Sequence, residues 1–144
     1  MSGIEKQTTG QNSLANPDCK PLQWNKTGYS SFNQFYPYYL GEHSLPITRR
    51  LHNVGTTISL ATHARFWLSF LPALFPNAKQ LERLNLSFPR WKLFAAGIFS
   101  GYFFAWVSHF FIEKNRPATF KAPVYSLMGD MKLWWEVVTF QRAF

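Results

Sequence analysis

The stretch WKLFAAGIFSGYFFAWVSHFFI, residues 91–112, decides the fold class of this chain. Lys92 is its only formally charged residue, and an α-helix needs about 20 mainly apolar residues to cross the core of a bilayer. The stretch therefore predicts a membrane-spanning helix. Gly97 and Gly101 lie four positions apart within it, and this spacing of small residues allows another helix to pack closely.

A second and weaker span is predicted upstream, over residues 54–75. This stretch is mostly apolar but contains His63 and Arg65. A central arginine costs at least about 2.5 kcal/mol in a membrane, so we expect neighbouring protein to shield this helix. Residues 76–90 are polar and favour a short connector. The two spans together predict an antiparallel helical hairpin in an integral-membrane, all-α fold.

The segments that flank the hairpin complete this all-α prediction. Residues 1–30 are rich in polar residues, Gly and Pro without apolar periodicity, which is typical of an extended polar tail. A membrane helical domain is then expected over residues 31–144. Aromatic residues at helical spacing favour a short helix whose N-cap is Ser30 or Ser31. Residues 124–140 mix apolar and charged residues in a pattern that predicts an interfacial amphipathic helix.

The charge of the chain favours lipid over nucleic acid as a partner. The chain has 144 residues, a formal net charge of +8 and only 15% charged residues. Its Lys and Arg residues flank apolar segments, a distribution that indicates anionic lipid headgroups and no nucleic acid. Cys19 is the only cysteine, which excludes an internal disulfide or a cysteine metal site within the chain.

Two polar motifs lie where the predicted hairpin opens, EHSLPITRRLH at residues 42–52 and HFFIEKNRPATF at residues 109–120. The start of the first span and the end of the second lie at the same membrane face, so the motifs are predicted to meet there. Three imidazoles and a carboxylate suit non-haem iron or another first-row divalent ion. The four residues expected to converge are His43, His52, His109 and Glu113.

The same motifs also allow an interpretation without a metal. Each histidine can act alone as a hydrogen-bonding group at the membrane interface, and Glu113 can form ion pairs with neighbouring basic residues at headgroup level. His63 has no partner that the sequence identifies. The basic residues assigned to headgroup binding or to support of a metal site are Arg49, Arg50, Lys114 and Arg116. The balance of basic residues at the two ends of the hairpin leaves its orientation open.

The chain resembles a known family in two blocks. YPYYLGEHSLPITRRLHNVGT at residues 36–56 and GYFFAWVSHFFIEKNRPATFKAPVYSLMGDMKLWW at residues 101–135 are similar to the signature blocks of a membrane family of 2-hydroxy fatty acid dioxygenases. Its characterised fungal member serves the metabolism of phytosphingosine to odd-numbered fatty acids. The resemblance covers about residues 31–140, and HFFIEKNRPATF is its most specific part.

This resemblance implies a reaction and a set of ligands. In the family, iron(II) supports the oxidative removal of one carbon from a 2-hydroxy acyl chain at the endoplasmic reticulum. Matching positions make His43, His52 and His109 the implied ligands, with Glu113 as a further ligand or supporting group. A 2-hydroxy acid can chelate iron through its hydroxyl and carboxylate oxygens, and the membrane would supply the acyl tail.

Two main hypotheses for function follow. The first is an accessory, non-catalytic subunit of a larger membrane assembly, such as a respiratory-type complex of the mitochondrial inner membrane, with the tail contacting other subunits. The weak first span, the Gly97 and Gly101 pair and a core shorter than that of the fungal form favour it. The second hypothesis is the Fe(II)-dependent dioxygenase itself. A lipid-binding module without redox chemistry is a third.

Overall fold

The structure is a computed structural model that describes residues 14–144, so the first thirteen residues of the predicted tail lie outside it. The all-α prediction is confirmed, because the described part contains helices and no strand. The α-helices are α1 (Phe32–Gly41), α2 (Pro46–Leu68), α3 (Leu71–Leu74), α4 (Arg90–Val107) and α5 (Pro123–Val138). Short 3-10 helices cover Lys79–Leu84 and Ala118–Phe120, and a π-helix, Ser108–Glu113, continues α4.

The helices α2 and α4 pack against each other in antiparallel directions. Near the start of α2, Gly55 lies against Phe104 of α4, and two turns later His63 lies against Gly97. A Cβ atom added at Gly97 would come within 2.4 Å of the His63 ring. Glycine is therefore required there by the close approach of α2. Gly101 faces Ser59 at an ordinary contact distance, so both small residues face a helix of the same chain.

One helix in residues 14–144, Arg90–Glu113, is long and apolar enough to cross a membrane. The prediction of two spans is thus supported for the second span alone. The first predicted span, residues 54–75, is also not one continuous helix, because α2 begins earlier, at Pro46, and ends at Leu68, and α3 starts at Leu71. Pro72 lies in the first turn of α3, where proline is tolerated, but it could not continue α2 without breaking backbone hydrogen bonds.

Arginine side chains close the hairpin at the end away from the polar motifs. Arg65 donates a hydrogen bond to the Leu84 carbonyl at 2.8 Å. Arg90 donates to the hydroxyl and the carbonyl of Ser69, each at 3.1 Å. Backbone carbonyls at a helix end have no partner within the helix, and Arg90 supplies one for Ser69. Arg65 is therefore shielded by protein, as expected for a charged residue in this helix.

A core of aromatic residues holds α1 against α5. Phe35, Tyr36 and Tyr39 are fully buried, and they pack with Leu133 of α5. Residues 14–31 contain no helix but lie against this core, where Cys19 is buried. The described part of the predicted tail is therefore packed against its own chain.

The α5 helix buries both polar and apolar residues on its inner side and exposes large apolar residues on its outer side. Glu136 and Ser126 are buried in the protein. A continuous stripe of large apolar residues is exposed on the opposite side, formed by Val124, Leu127, Met128, Trp135 and Val138. The outer side of a helix on the surface of a water-soluble protein is instead mainly polar.

Candidate metal centre

Three histidines from three separate segments meet in the interior. His43 follows the end of α1, His52 lies in the second turn of α2, and His109 lies in the π-helix that ends α4. All three are buried, and their ligand nitrogens lie within 4.8 Å of one another. The structure thus brings together three of the four residues that the sequence proposes for a metal site. We call these three residues the histidine cluster.

Each ring of the histidine cluster is held by an oxygen atom at its Nδ1 nitrogen. A hydrogen bond at this nitrogen to a carboxylate, amide or carbonyl oxygen is the usual support of a metal-binding histidine. Because these oxygens accept, each Nδ1 carries the proton and each Nε2 presents its lone pair. The pairs are His43 with the Tyr39 carbonyl at 2.6 Å, His52 with Asp130 at 2.9 Å, and His109 with Asn115 at 2.7 Å.

The amide of Asn115 is oriented by contacts on its other side. Its Nδ2 group donates to the carbonyl of Glu42 at 3.0 Å and to the Glu42 carboxylate at 3.3 Å. These contacts leave the amide oxygen of Asn115 to face Nδ1 of His109. The assignment of that oxygen, and with it the proton on Nδ1, follows from the network.

The Nε2 nitrogens of the histidine cluster converge on a common point. The Nε2 atoms of His43 and His109 lie 3.2 Å apart, and Nε2 of His52 is buried without a hydrogen-bond partner in residues 14–144. Lone pairs that face one another repel. A cation between them removes the repulsion, and two nitrogens at bond lengths of about 2.1 Å from one ion have a similar separation. The donor set therefore fits a first-row metal ion.

The surroundings of His43 keep its imidazole neutral. Burial lowers the pKa of His43 well below its usual range, and the neighbouring imidazoles of His52 and His109 lower it further. A neutral imidazole is the form that binds a metal. Burial, together with the nearby Asp130 carboxylate, raises the pKa of Tyr39, so its phenol stays a donor and holds Asp130 at 2.6 Å.

The histidine cluster borders a small cavity of about 10 Å³. A volume of this size holds one ion or one water molecule. Polar residues in its wall besides the cluster are Tyr39, Thr119, Ser126 and Asp130, and the apolar residues are Ala105, Pro117 and Ala118.

The structure does not place Glu113 with the histidine cluster, although the sequence predicts that it converges with the three histidines. Its carboxylate accepts hydrogen bonds from the backbone N–H and hydroxyl of Ser44, from the Leu45 backbone at 3.2 Å and from the Thr48 hydroxyl at 2.5 Å. Leu45 is the N-cap of α2 and has no side chain that can cap the helix. A carboxylate is favoured at a helix N-terminus. Glu113 therefore caps α2 and joins it to the end of α4.

The four basic residues of the motifs have separate positions. Arg49 donates to the carbonyls of His43 at 2.8 Å and Ser44 at 2.7 Å, so it supports the turn that carries His43. Arg50 lies over the Phe144 ring. Lys114 ends the π-helix in a left-handed backbone conformation with φ of 58°, and Arg116 is exposed.

Sequence reasoning missed Asp130 and Asn115 as parts of the site. The sequence offers one signal for Asp130, because a carboxylate between Met128 and Met131 is unusual in a predicted interfacial helix. No local pattern could show which histidine it holds.

Replacing Asp130 with alanine is expected to weaken iron binding by about 10- to 100-fold, because supporting residues of metal ligands typically contribute that much. Asp130→Asn keeps an oxygen and should retain more affinity. The measurement is anaerobic titration of the purified protein with Fe(II). Leu127→Ala, on the exposed stripe of the same helix, is the matched control and should bind iron as the unaltered protein does. Equal affinities of Asp130→Ala and the control would contradict the assignment.

The comparison with protein families agrees with the resemblance in the two blocks. A family model described as 2-hydroxy-palmitic acid dioxygenase Mpo1-like matches residues 29–142. No curated protein and no solved structure matches the chain. The match includes the histidine cluster together with Asn115 and Asp130, and it extends over most of the 144 residues. The chain therefore belongs to the 2-hydroxy-palmitic acid dioxygenase Mpo1-like family.

Proposed function

We propose that this protein is an iron(II)-dependent membrane dioxygenase that removes one carbon from 2-hydroxy fatty acids. The observation that carries the proposal is the converging set of Nε2 nitrogens, above all Nε2 of His52, which has no partner in the described part of the chain. A buried polar atom left unsatisfied costs about 1–3 kcal/mol. A bound ion removes that cost for the cluster.

The chemistry requires a redox-active ion with room for oxygen ligands. Bound iron(II) would supply electron transfer to O₂ and open positions for the hydroxyl and carboxylate oxygens of the substrate. Overall, a 2-hydroxy acid and O₂ give the acid shortened by one carbon, CO₂ and water. The bond between the carboxyl carbon and the hydroxyl-bearing carbon breaks, and O₂ takes up the four electrons that the substrate loses.

The residues of the chain prepare the site for this chemistry. Asp130, Asn115 and the Tyr39 carbonyl hold the protons on Nδ1, so that the Nε2 lone pairs stay available. Burial keeps bulk water away from the cluster. The cavity has room for an ion but not for the carboxyl group of a substrate. We therefore expect residues 114–122, which contribute Pro117, Ala118 and Thr119 to the cavity wall, to shift when substrate binds.

The proposal extends to the arrangement in the membrane. We propose that α2 and α4 both span the bilayer as a hairpin, with the histidine cluster near the headgroups at the end of the Arg90–Glu113 helix. Arg50, Lys114 and Arg116 would then face anionic headgroups. The acyl tail of the substrate would lie among lipid tails along the exposed apolar faces of α4 and α5.

The experiment uses the full chain in lipid nanodiscs, loaded anaerobically with Fe(II) and then given 2-hydroxypalmitate and O₂. The expected product is pentadecanoate, detected by mass spectrometry, in an amount that follows the iron content. Palmitate, which lacks the 2-hydroxyl group, is the matched control and should be left intact. Iron-loaded protein that forms no pentadecanoate would contradict the proposal.

A non-catalytic subunit of a membrane assembly is the second candidate. The observation that favours it is α2, which lacks the apolar character of a span by itself and would gain from neighbouring helices. Two other features linked to this role, the glycine pair and the described part of the tail, have partners within the chain, since Gly97 packs on His63 and Cys19 of the tail is buried in the core. Purification of the tagged chain in mild detergent tests it. Stoichiometric co-purifying membrane subunits would favour it, and a monodisperse single chain would exclude it.

A further inference from the structure

Helical hydroxyl groups in this protein generally donate to a carbonyl about one turn earlier. Ser108 donates to Ala105 at 2.8 Å, Ser100 to Gly97 at 2.9 Å, and Thr57 to Asn53 at 2.7 Å. Ser126 of α5 differs, because its side chain is 3% exposed and its hydroxyl has no hydrogen-bond partner in residues 14–144. A buried hydroxyl without a partner is unfavourable. This indicates that a group outside residues 14–144 supplies the missing hydrogen-bond partner.

Ser126 lines the same small cavity as the histidine cluster. It lies on α5 one turn before Asp130, so the two residues share a face of that helix. The other buried polar side chains in the wall already use their donors, since each histidine donates through Nδ1 and the Tyr39 phenol donates to Asp130. The hydroxyl of Ser126 is thus the donor that remains among these buried groups.

We propose that Ser126 is a substrate-binding residue whose hydroxyl donates a hydrogen bond to the carboxylate of the 2-hydroxy acid at the metal centre. The inference rests on the proposed function and names a contact within it. A carboxylate accepts hydrogen bonds without donating, and it carries more lone pairs than chelation uses. A hydroxyl that donates to a charged oxygen forms one of the stronger hydrogen bonds in proteins.

The first test measures binding without turnover. Iron-loaded, anaerobic full-length protein in nanodiscs is titrated with 2-hydroxypalmitate, and the change in tryptophan fluorescence gives the dissociation constant. Ser126→Ala is expected to bind the acid at least about ten-fold more weakly while taking up iron as the unaltered protein does. Ser100→Ala is the matched control, because its hydroxyl has a carbonyl partner away from the cavity, and it should change neither quantity.

The second test separates substrate binding from a structural role. Removal of an unpaired buried hydroxyl leaves no broken hydrogen bond, so metal-free Ser126→Ala should unfold at the same or a higher temperature than the unaltered protein. A lower unfolding temperature would show that the hydroxyl supports the fold and would overturn the inference.

The outcomes distinguish this inference from the proposed function. Unchanged affinity of Ser126→Ala for 2-hydroxypalmitate, with normal iron uptake, overturns the role of Ser126 alone. Loss of iron affinity in this variant overturns it too, because the hydroxyl would then serve the metal or its bound water. Unaltered protein that takes up no iron overturns both proposals.

Discussion

Replacing His52 with alanine is expected to abolish measurable iron binding and with it the formation of pentadecanoate. Its Nε2 nitrogen points into the cluster without another partner in the part of the chain that the structure describes. The loss of a ligand should exceed the 10- to 100-fold loss that is typical when only a supporting residue is removed. Iron per chain, measured after anaerobic loading and desalting, gives the result directly.

The matched control is His63→Ala, which removes a histidine from the same helix. The His63 ring packs against Gly97, and its Nδ1 lies 2.7 Å from the Ser59 carbonyl, outside the cluster. This variant should keep a full complement of iron even if its stability falls. Equal iron contents of His52→Ala and His63→Ala would rule out the histidine cluster as the iron site.

Replacing Glu136 with glutamine is expected to lower the free energy of unfolding by about 3–5 kcal/mol, the usual effect of removing one partner from a buried ion pair. The Glu136 carboxylate accepts from Arg142 at 2.8 Å and from the Tyr36 phenol at 2.9 Å, and both carboxylate and guanidinium are almost fully buried. Burial and this carboxylate raise the pKa of Tyr36, so the phenol remains a donor. Glutamine leaves the buried guanidinium without a counter-charge.

The Glu136→Gln substitution should also loosen the segment before α1, residues 14–31. Arg142 also donates to the carbonyls of Ala15, Asn16 and Pro17, and an uncompensated guanidinium would loosen these contacts. Denaturant titration in detergent measures the stability, and limited proteolysis of residues 14–31 reports the loosening. The control is Glu82→Gln, which alters an exposed carboxylate between α3 and α4. It should change the free energy of unfolding by no more than about 0.5 kcal/mol. A Glu136→Gln protein as stable as this control would show that the ion pair contributes little.

The substitutions at His52 and Glu136 affect different parts of the molecule. His52 belongs to the site, while Glu136 holds α5 against α1. Because α5 also carries Asp130 and Ser126, loosening of this helix should weaken substrate binding more than iron binding. The site depends on α5 for its support and on α2 and α4 for two of its ligands.

The local pattern of the sequence was sufficient to predict that the chain is helical. The apolar stretch at residues 91–112 predicts the helix that the structure shows from Arg90 to Glu113, since length and hydropathy are properties of a single segment. The predicted hairpin also brings His43, His52 and His109 to one end, because antiparallel helices joined by a short connector have few ways to pack. The two blocks at residues 36–56 and 101–135, of which HFFIEKNRPATF is the most specific part, predicted the family, and the family model confirms it.

The tertiary structure decided which atoms meet. Glu113 caps α2 instead of joining the cluster, because the backbone N–H groups of Ser44 and Leu45 at the start of that helix need an acceptor and the Leu45 side chain offers none. Asp130 and Ser126 reach the site because the side of α5 that carries them faces the protein, a rotation that the pattern of residues in this helix leaves open. Composition and periodicity determine that a helix forms and which of its sides is apolar. The partner of each side depends on contacts between residues far apart in the chain, and these arise only when the helices pack.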